Sequence, residues 1–152
     1  MSRIQDLGKN NTNLPNLIQE YDAEIKEAED RLRIRGKLLE VAQQEQCAWP
    51  LFYEVRKTEL KSLVKYFQAE VARVRGHHVR RYTENYSRQL GDRAMNGYID
   101  AEESYLQMNQ LLLEVEELYD QYVAICDAFT KRGFALRDLT SAKIAEIHKL
   151  PI

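Results

Sequence analysis

Glycine and proline are scarce in this chain, and six glycines with three prolines in 152 residues leave too few tight-turn positions for a sandwich or barrel of short strands. No apolar run approaches the ~20 residues that cross a bilayer. The polar start from Met1 to Asn13 also lacks the apolar core of a secretion signal, so a cytosolic protein without a membrane role is expected. The two cysteines, Cys47 and Cys126, lie far apart in sequence and on or near apolar helix faces, which predicts reduced core thiols rather than a disulfide or a metal pair. Catalytic signatures are missing as well. There is no glycine-rich phosphate loop, no strand-turn-helix frame for a nucleophilic serine and no Cys-x-x-Cys. The adjacent His77 and His78 point in different directions on a helix, with no further ligand one turn away. The carboxylates Glu114, Glu116, Glu117 and Asp120 lack the Glu-x-x-His pairs of a di-iron bundle, and His148 stands alone. The sequence therefore predicts no enzyme, no cofactor and no metal.

What is present is helical periodicity. Ala101, Tyr105, Met108, Leu112, Val115, Tyr119, Tyr122, Cys126 and Phe129 step strictly by four and three, the spacing of a packing seam. A second row at Leu111, Leu118 and Ile125 widens the stripe, so this helix is expected to pack against more than one neighbour in a bundle or an oligomer. Upstream, Leu14, Ile18, Tyr21, Ile25, Ala28, Leu32, Leu39 and Ala42 keep heptad register, with Arg35 at the skipped position. A third stripe, Leu60, Val64, Phe67, Val71 and Val74, shifts after Gly76 to Val79, Tyr82, Tyr86 and Leu90.

The breakers divide these stripes. Pro15 is tolerated in a first helical turn, with Asn13 or Leu14 near the cap. Trp49-Pro50 predicts a corner or kink, because a residue before proline is biased away from helical geometry. Gly76 marks a bend or break, and Gly91 to Gly97 reads as the clearest loop. Gly133 is expected as a left-handed helix cap, with Lys131 and Arg132 complementing the helix dipole and Phe134 folding back onto the last turn. Thr140 or Asp138 would then cap a last short helix that stops before Pro151. The expected fold is an all-α bundle of long helices with heptad seams, assembling into a homo-oligomer. It has a polar segment at 1–13 and one helical domain over 14–150, with helices at about 14–48, 51–90, 98–132 and 139–149.

Charge is unevenly distributed. From Leu14 to Trp49 there are five basic and eight acidic residues, a mixed solvated surface. From Arg56 to Arg93 ten basic residues face four acidic ones, whereas Ile99 to Thr130 holds eight acidic residues and no lysine or arginine. Two readings stand: antiparallel helices that pair their charges, or an anion-binding face. Within the basic segment, Arg73, Arg75, His77, His78, Arg80 and Arg81 crowd together, flanked only by Glu70 and Glu84, and they run into Tyr82, Tyr86 and Arg88. Cations that track a phosphate backbone beside rings on which bases stack are what sequence-tolerant single-strand binding requires. For the tyrosines alone the spacing favours a packing stripe.

The order Ala101-Glu102, Leu106, Ile125-Cys126-Asp127-Ala128 and Lys131-Arg132-Gly133-Phe134-Ala135-Leu136, ahead of an amphipathic C-terminal segment, resembles the UvsY family of recombination mediators from T-even-type bacteriophages. The resemblance covers the last third of the chain. It implies a small non-enzymatic protein of DNA recombination, repair and replication in the cytoplasm of the infected bacterial host. Such a protein would assemble into a hexamer or heptamer ring, bind single-stranded DNA, and help a RecA-type recombinase displace the single-strand-binding protein. The family's DNA-contacting segment, a Lys/Arg-containing stretch ahead of Tyr-Ser, finds its nearest match in His78-Val79-Arg80-Arg81 ahead of Tyr86-Ser87, with histidine in place of the first cation.

Expected nucleic-acid contacts are therefore Arg73, Arg75, His78, Arg80, Arg81, Tyr82, Tyr86 and Arg88. Expected oligomer or packing positions are Tyr105, Met108, Leu112, Val115, Tyr119, Tyr122, Cys126, Phe129, Arg132, Gly133 and Phe134. The alternatives are a structural or adaptor coiled coil without nucleic-acid binding, and a bundle whose basic face lies on anionic lipid without an insertion wedge.

Overall fold

The structure, a computed structural model, describes residues 13–86 and 89–148. The polar segment before Asn13, Ser87, Arg88, the side chain of His148 and the end of the chain from Lys149 lie outside the described residues. The fold is all-α: among the described residues there are four helices and no strand, α1 (Leu14–Leu32), α2 (Leu39–Asn85), α3 (Asp92–Asp100) and α4 (Glu103–His148). No helix among them is long and apolar enough to cross a membrane.

The helix bounds depart from the sequence reading at several points. The first stripe does not run on to residue 48. α1 ends at Leu32, Arg33 turns extended, and Gly36 adopts φ +85°, a left-handed conformation that glycine reaches without penalty. The step from Leu32 to Leu39 spans one heptad, which hid the break.

Pro50 lies inside α2 rather than at a corner. An interior proline costs roughly 3 kcal/mol. Around it Trp49, Phe52 and Tyr53 form edge-to-face ring contacts at 5.8 and 5.2 Å, and the Arg31 guanidinium sits 3.8 Å over the Trp49 ring. The Arg31 contact and the stacking of Tyr53 on Phe129 pack this stretch of α2 against α1 and α4.

α2 also continues through Gly76 without a break. The expected loop at 91–97 is mostly helix, since Gly91 is the N-cap of α3 and Gly97 lies within it. Finally, Gly133 does not terminate a helix: α4 runs through it to His148, so there is no separate C-terminal helix and no Thr140 or Asp138 cap. Phe134 is exposed rather than folded back.

The chain forms two compact units, Met1–Glu59 with Asp120–Ile152, and Leu60–Tyr119. In the first, Tyr21, Tyr53, Tyr122 and Phe129 are fully buried. Tyr53 stacks on Phe129 at 5.2 Å, and Tyr122 meets Tyr21 edge-on at 5.7 Å. A core this rich in tyrosine must satisfy its hydroxyls. Tyr122 donates to Glu24 Oε2 at 2.8 Å, and Tyr53 donates to the Glu24 carbonyl at 2.9 Å. Arg56 clamps Glu24 and Glu59, so the acidic group beneath the tyrosines is itself paired.

The same unit explains the Lys131-Arg132-Gly133 run. Arg132 is buried and donates to the carbonyls of Leu32 and Ala42, to Gln46 Oε1 and to Glu45 Oε2, at 2.8 to 3.1 Å. Gly133 lies where a Cβ would come 3.1 Å from Gln46 Nε2, and that amide donates to the Phe129 carbonyl at 2.8 Å. The glycine thus serves a close approach within a helix, not a cap. Cys126 is buried, but Cys47 is exposed, which corrects the expectation of two core thiols; both are free.

In the second unit Leu60, Leu63, Phe67, Ile99, Val115 and Leu118 form the apolar centre. Of the predicted seam, Tyr105, Met108, Leu112 and Tyr119 are half-buried and Val115 fully buried in this unit, while Tyr122, Cys126 and Phe129 are buried in the first.

Candidate nucleic-acid interface

With 3.6 residues per turn, Lys61, Lys65, Arg73, His77 and Arg80 fall on one side of α2, opposite the buried Leu63, Phe67 and His78. All five are exposed. Arg73 pairs with Glu70 one turn back at 2.9 Å, a contact that is weak at such exposure. Lys61, Lys65 and Arg80 have no ion pair or hydrogen bond among the described residues, and the carboxylates bordering this side are Glu70 and, near the end of the helix, Glu84. The stripe from Lys61 to Arg80 is about 28 Å long at 1.5 Å per residue.

The flank of α2 facing α3 and α4 is different. Arg75 donates to Asn96 Oδ1 at 2.7 Å, to Asp100 Oδ1 at 3.3 Å and to the Tyr105 hydroxyl at 3.3 Å. Arg81 pairs with Glu102, and the Tyr82 hydroxyl donates to the same carboxylate at 2.5 Å. His78 is 5 % exposed, with Nε2 2.8 Å from Ser104 Oγ. The Tyr82 hydrogen bond, with the charge of Arg81, holds the Glu102 carboxyl below its ordinary range against the opposing effect of desolvation. The charge-pairing reading thus holds for one flank of α2 alone. The acidic segment takes up Arg75 and Arg81, and the outer cations stay in solvent.

At the end of α2 three rings gather. Tyr82 stacks on Tyr98 at 5.7 Å, and Tyr86 on Tyr98 at 6.4 Å. Tyr86 and Tyr98 are 48 and 49 % exposed, whereas Tyr82 is half-buried, so the tyrosines are neither pure core nor free platform.

Of the expected contacts, the structure brings Arg75, His78, Arg81, Tyr82 and Tyr86 to the flank beside α3 and α4, and leaves Arg73 and Arg80 on the outer face; Arg88 lies outside the described residues. Sequence reasoning passed over Lys61 and Lys65, although their four-residue spacing puts them on one side with Arg80. It also missed Asn96, which sat in the supposed loop, Tyr98 just beyond it, and Glu102, whose pairing is a tertiary fact without a local signal. Among the described residues no group of three His, Cys, Asp or Glu side chains is placed to hold a metal ion.

Comparison with known proteins gives no relative: no protein-family model, no curated protein and no solved structure matches the chain.

Proposed function

We propose that this chain is a single-stranded-DNA-binding recombination mediator, which helps load a RecA-type recombinase onto DNA covered by single-strand-binding protein in the cytoplasm of an infected bacterium. The observation that carries the DNA-binding part is the outer face of α2, where Lys61, Lys65, Arg73 and Arg80 stay exposed although the chain holds an excess of carboxylates. A stripe of exposed cations beside half-exposed rings suits a flexible polyanion with stackable bases. The mediator part rests on the resemblance of the last third of the chain to the UvsY family.

Self-assembly into a ring is part of the same reading. Leu106 and Leu113, seven residues apart on α4, are both exposed, a heptad step left uncovered. Many copies of the cationic face on one assembly would raise the effective concentration of contacts along a strand.

The satisfied pairs at Arg75 and Arg81 favour a second reading, a coiled-coil adaptor whose basic helix is partly neutralised from within. Fluorescence anisotropy with a labelled single-stranded oligonucleotide, competed by duplex of equal length, separates the two. Single-strand-preferring binding that weakens steeply with salt supports the mediator, and absence of binding at low salt supports the adaptor.

A further inference from the structure

Among the described residues, His78 Nδ1 is the buried side-chain nitrogen without a hydrogen-bond partner. A buried polar atom left unpaired calls for an explanation. Its surroundings supply one. Nε2 lies 2.8 Å from the Ser104 hydroxyl, and Nδ1 lies 3.9 Å from Glu102 Oε1. With the carboxylate facing Nδ1, the favoured tautomer carries its proton there and accepts from Ser104 at Nε2. Glu102 already receives the Arg81 guanidinium and the Tyr82 hydroxyl on that oxygen. Three donors from α2, at positions 78, 81 and 82, converge on one anionic oxygen, and the innermost is just too far away to bond. Arg81 also lies 5.1 Å over the Tyr82 ring, whose other neighbours are the half-exposed Tyr86 and Tyr98.

We infer that Arg81, Tyr82 and His78 form a phosphate-binding subsite, which the carboxylate of Glu102 occupies in the unbound chain and which a phosphodiester of the bound strand takes over. A phosphodiester presents two anionic oxygens where the carboxylate uses one, so it can serve the guanidinium fork and the buried imidazole together. It also places the neighbouring base beside the Tyr82, Tyr86 and Tyr98 rings. Glu102 becomes an internal competitor, and displacing it is part of binding. The inference rests on the single-strand-binding reading, and its test separates the two.

The first measurement needs no substitution. The chain holds three histidines, and His78→Asn assigns the resonance of the buried one in histidine-labelled protein. Titration of the unaltered protein with an oligothymidine is expected to move the His78 imidazole signals at saturation. Signals of His78 that stay in place while the oligonucleotide binds overturn the subsite.

The second measurement is a double-mutant cycle with the same oligonucleotide. Glu102→Gln is expected to tighten binding about tenfold by removing the charged competitor. In an Arg81→Ala background that gain should vanish. A gain of equal size with and without Arg81, or the same gain from Glu103→Gln on the exposed neighbour, shows a through-space charge effect and overturns the subsite. No oligonucleotide binding by the unaltered protein defeats the single-strand-binding reading itself.

Discussion

Arg132 donates to the Leu32 carbonyl at 3.1 Å across 100 residues of sequence, with only 4 % of its surface exposed. Leu32 is the last residue of α1, so its carbonyl has no partner within the helix and needs one from elsewhere. The same guanidinium reaches Ala42, Gln46 and Glu45 on α2, and Glu45 is held in addition by Lys37 at 2.8 Å. One side chain of α4 thereby fixes the end of α1 and the start of α2.

Arg132→Met should therefore destabilise the protein by about 3 kcal/mol, because it leaves buried acceptors unpaired. Arg132→Lys should recover only part of this, since an ammonium cannot reproduce the planar fork. Urea denaturation followed by circular dichroism measures both. A loss within experimental error for Arg132→Met would show that water replaces the guanidinium.

Three glycines should respond differently to alanine. Gly76 is mid-helix with open space around it, so Gly76→Ala should stabilise by about 0.5–1 kcal/mol through helix propensity. Gly133→Ala gains the same propensity but presses on the Gln46 amide 3.1 Å away, and should fall clearly below Gly76→Ala. Gly36→Ala forces a side chain into φ +85° and should cost about 1 kcal/mol. Thermal melting of the three variants under one condition gives the ranking.

Alkaline pH should unfold the first unit. Burial, then the Glu24 carboxylate, pushes the Tyr122 hydroxyl far above its ordinary value of 10.0, and burial, then Glu54, pushes the Cys126 thiol from 9.0 to about 11. Folded-state values above the unfolded ones mean that the unfolded chain loses these protons first. Their stabilising contribution is complete below about pH 9 and declines as pH rises through 9 and 10 toward the folded values. The denaturation midpoint should hold steady from neutrality to about pH 8.5 and fall beyond it. Tyr122→Phe should reduce the tyrosine part of that fall. At neutral pH a thiol reagent should label exposed Cys47 quickly and Cys126 only as fast as the unit opens.

The all-α class was legible because its signal is distributed: scarce glycine and proline and three long apolar stripes agree on helix. Helix ends were not, because single residues mislead when tertiary contacts decide. Pro50 sits beside the Trp49 and Phe52 rings, over which Arg31 packs, and Gly133 fits against Gln46, and neither Arg31 nor Gln46 lies close enough in sequence to announce itself. Arg132 was assigned to the helix dipole for the same reason. In the candidate interface the cations were visible as a cluster. Which of them are spent on carboxylates depends on how α3 and α4 sit against α2, and the apparent loop at 91–97 concealed the helix that brings Tyr98 and Asn96 into place.

The outer face of α2 is tested most directly by anisotropy with a labelled single-stranded oligonucleotide across a salt series, comparing the unaltered chain with the triple variant Lys61→Ala, Lys65→Ala, Arg80→Ala. These side chains are exposed and make no hydrogen bond or ion pair among the described residues, so the variant should keep its melting temperature. Each lost phosphate contact should flatten the slope of log affinity against log salt by about 0.7, a change of roughly 2 for three. That result, with weaker binding at every salt concentration, is the one predicted. A triple variant that binds with unchanged affinity and slope would contradict the account.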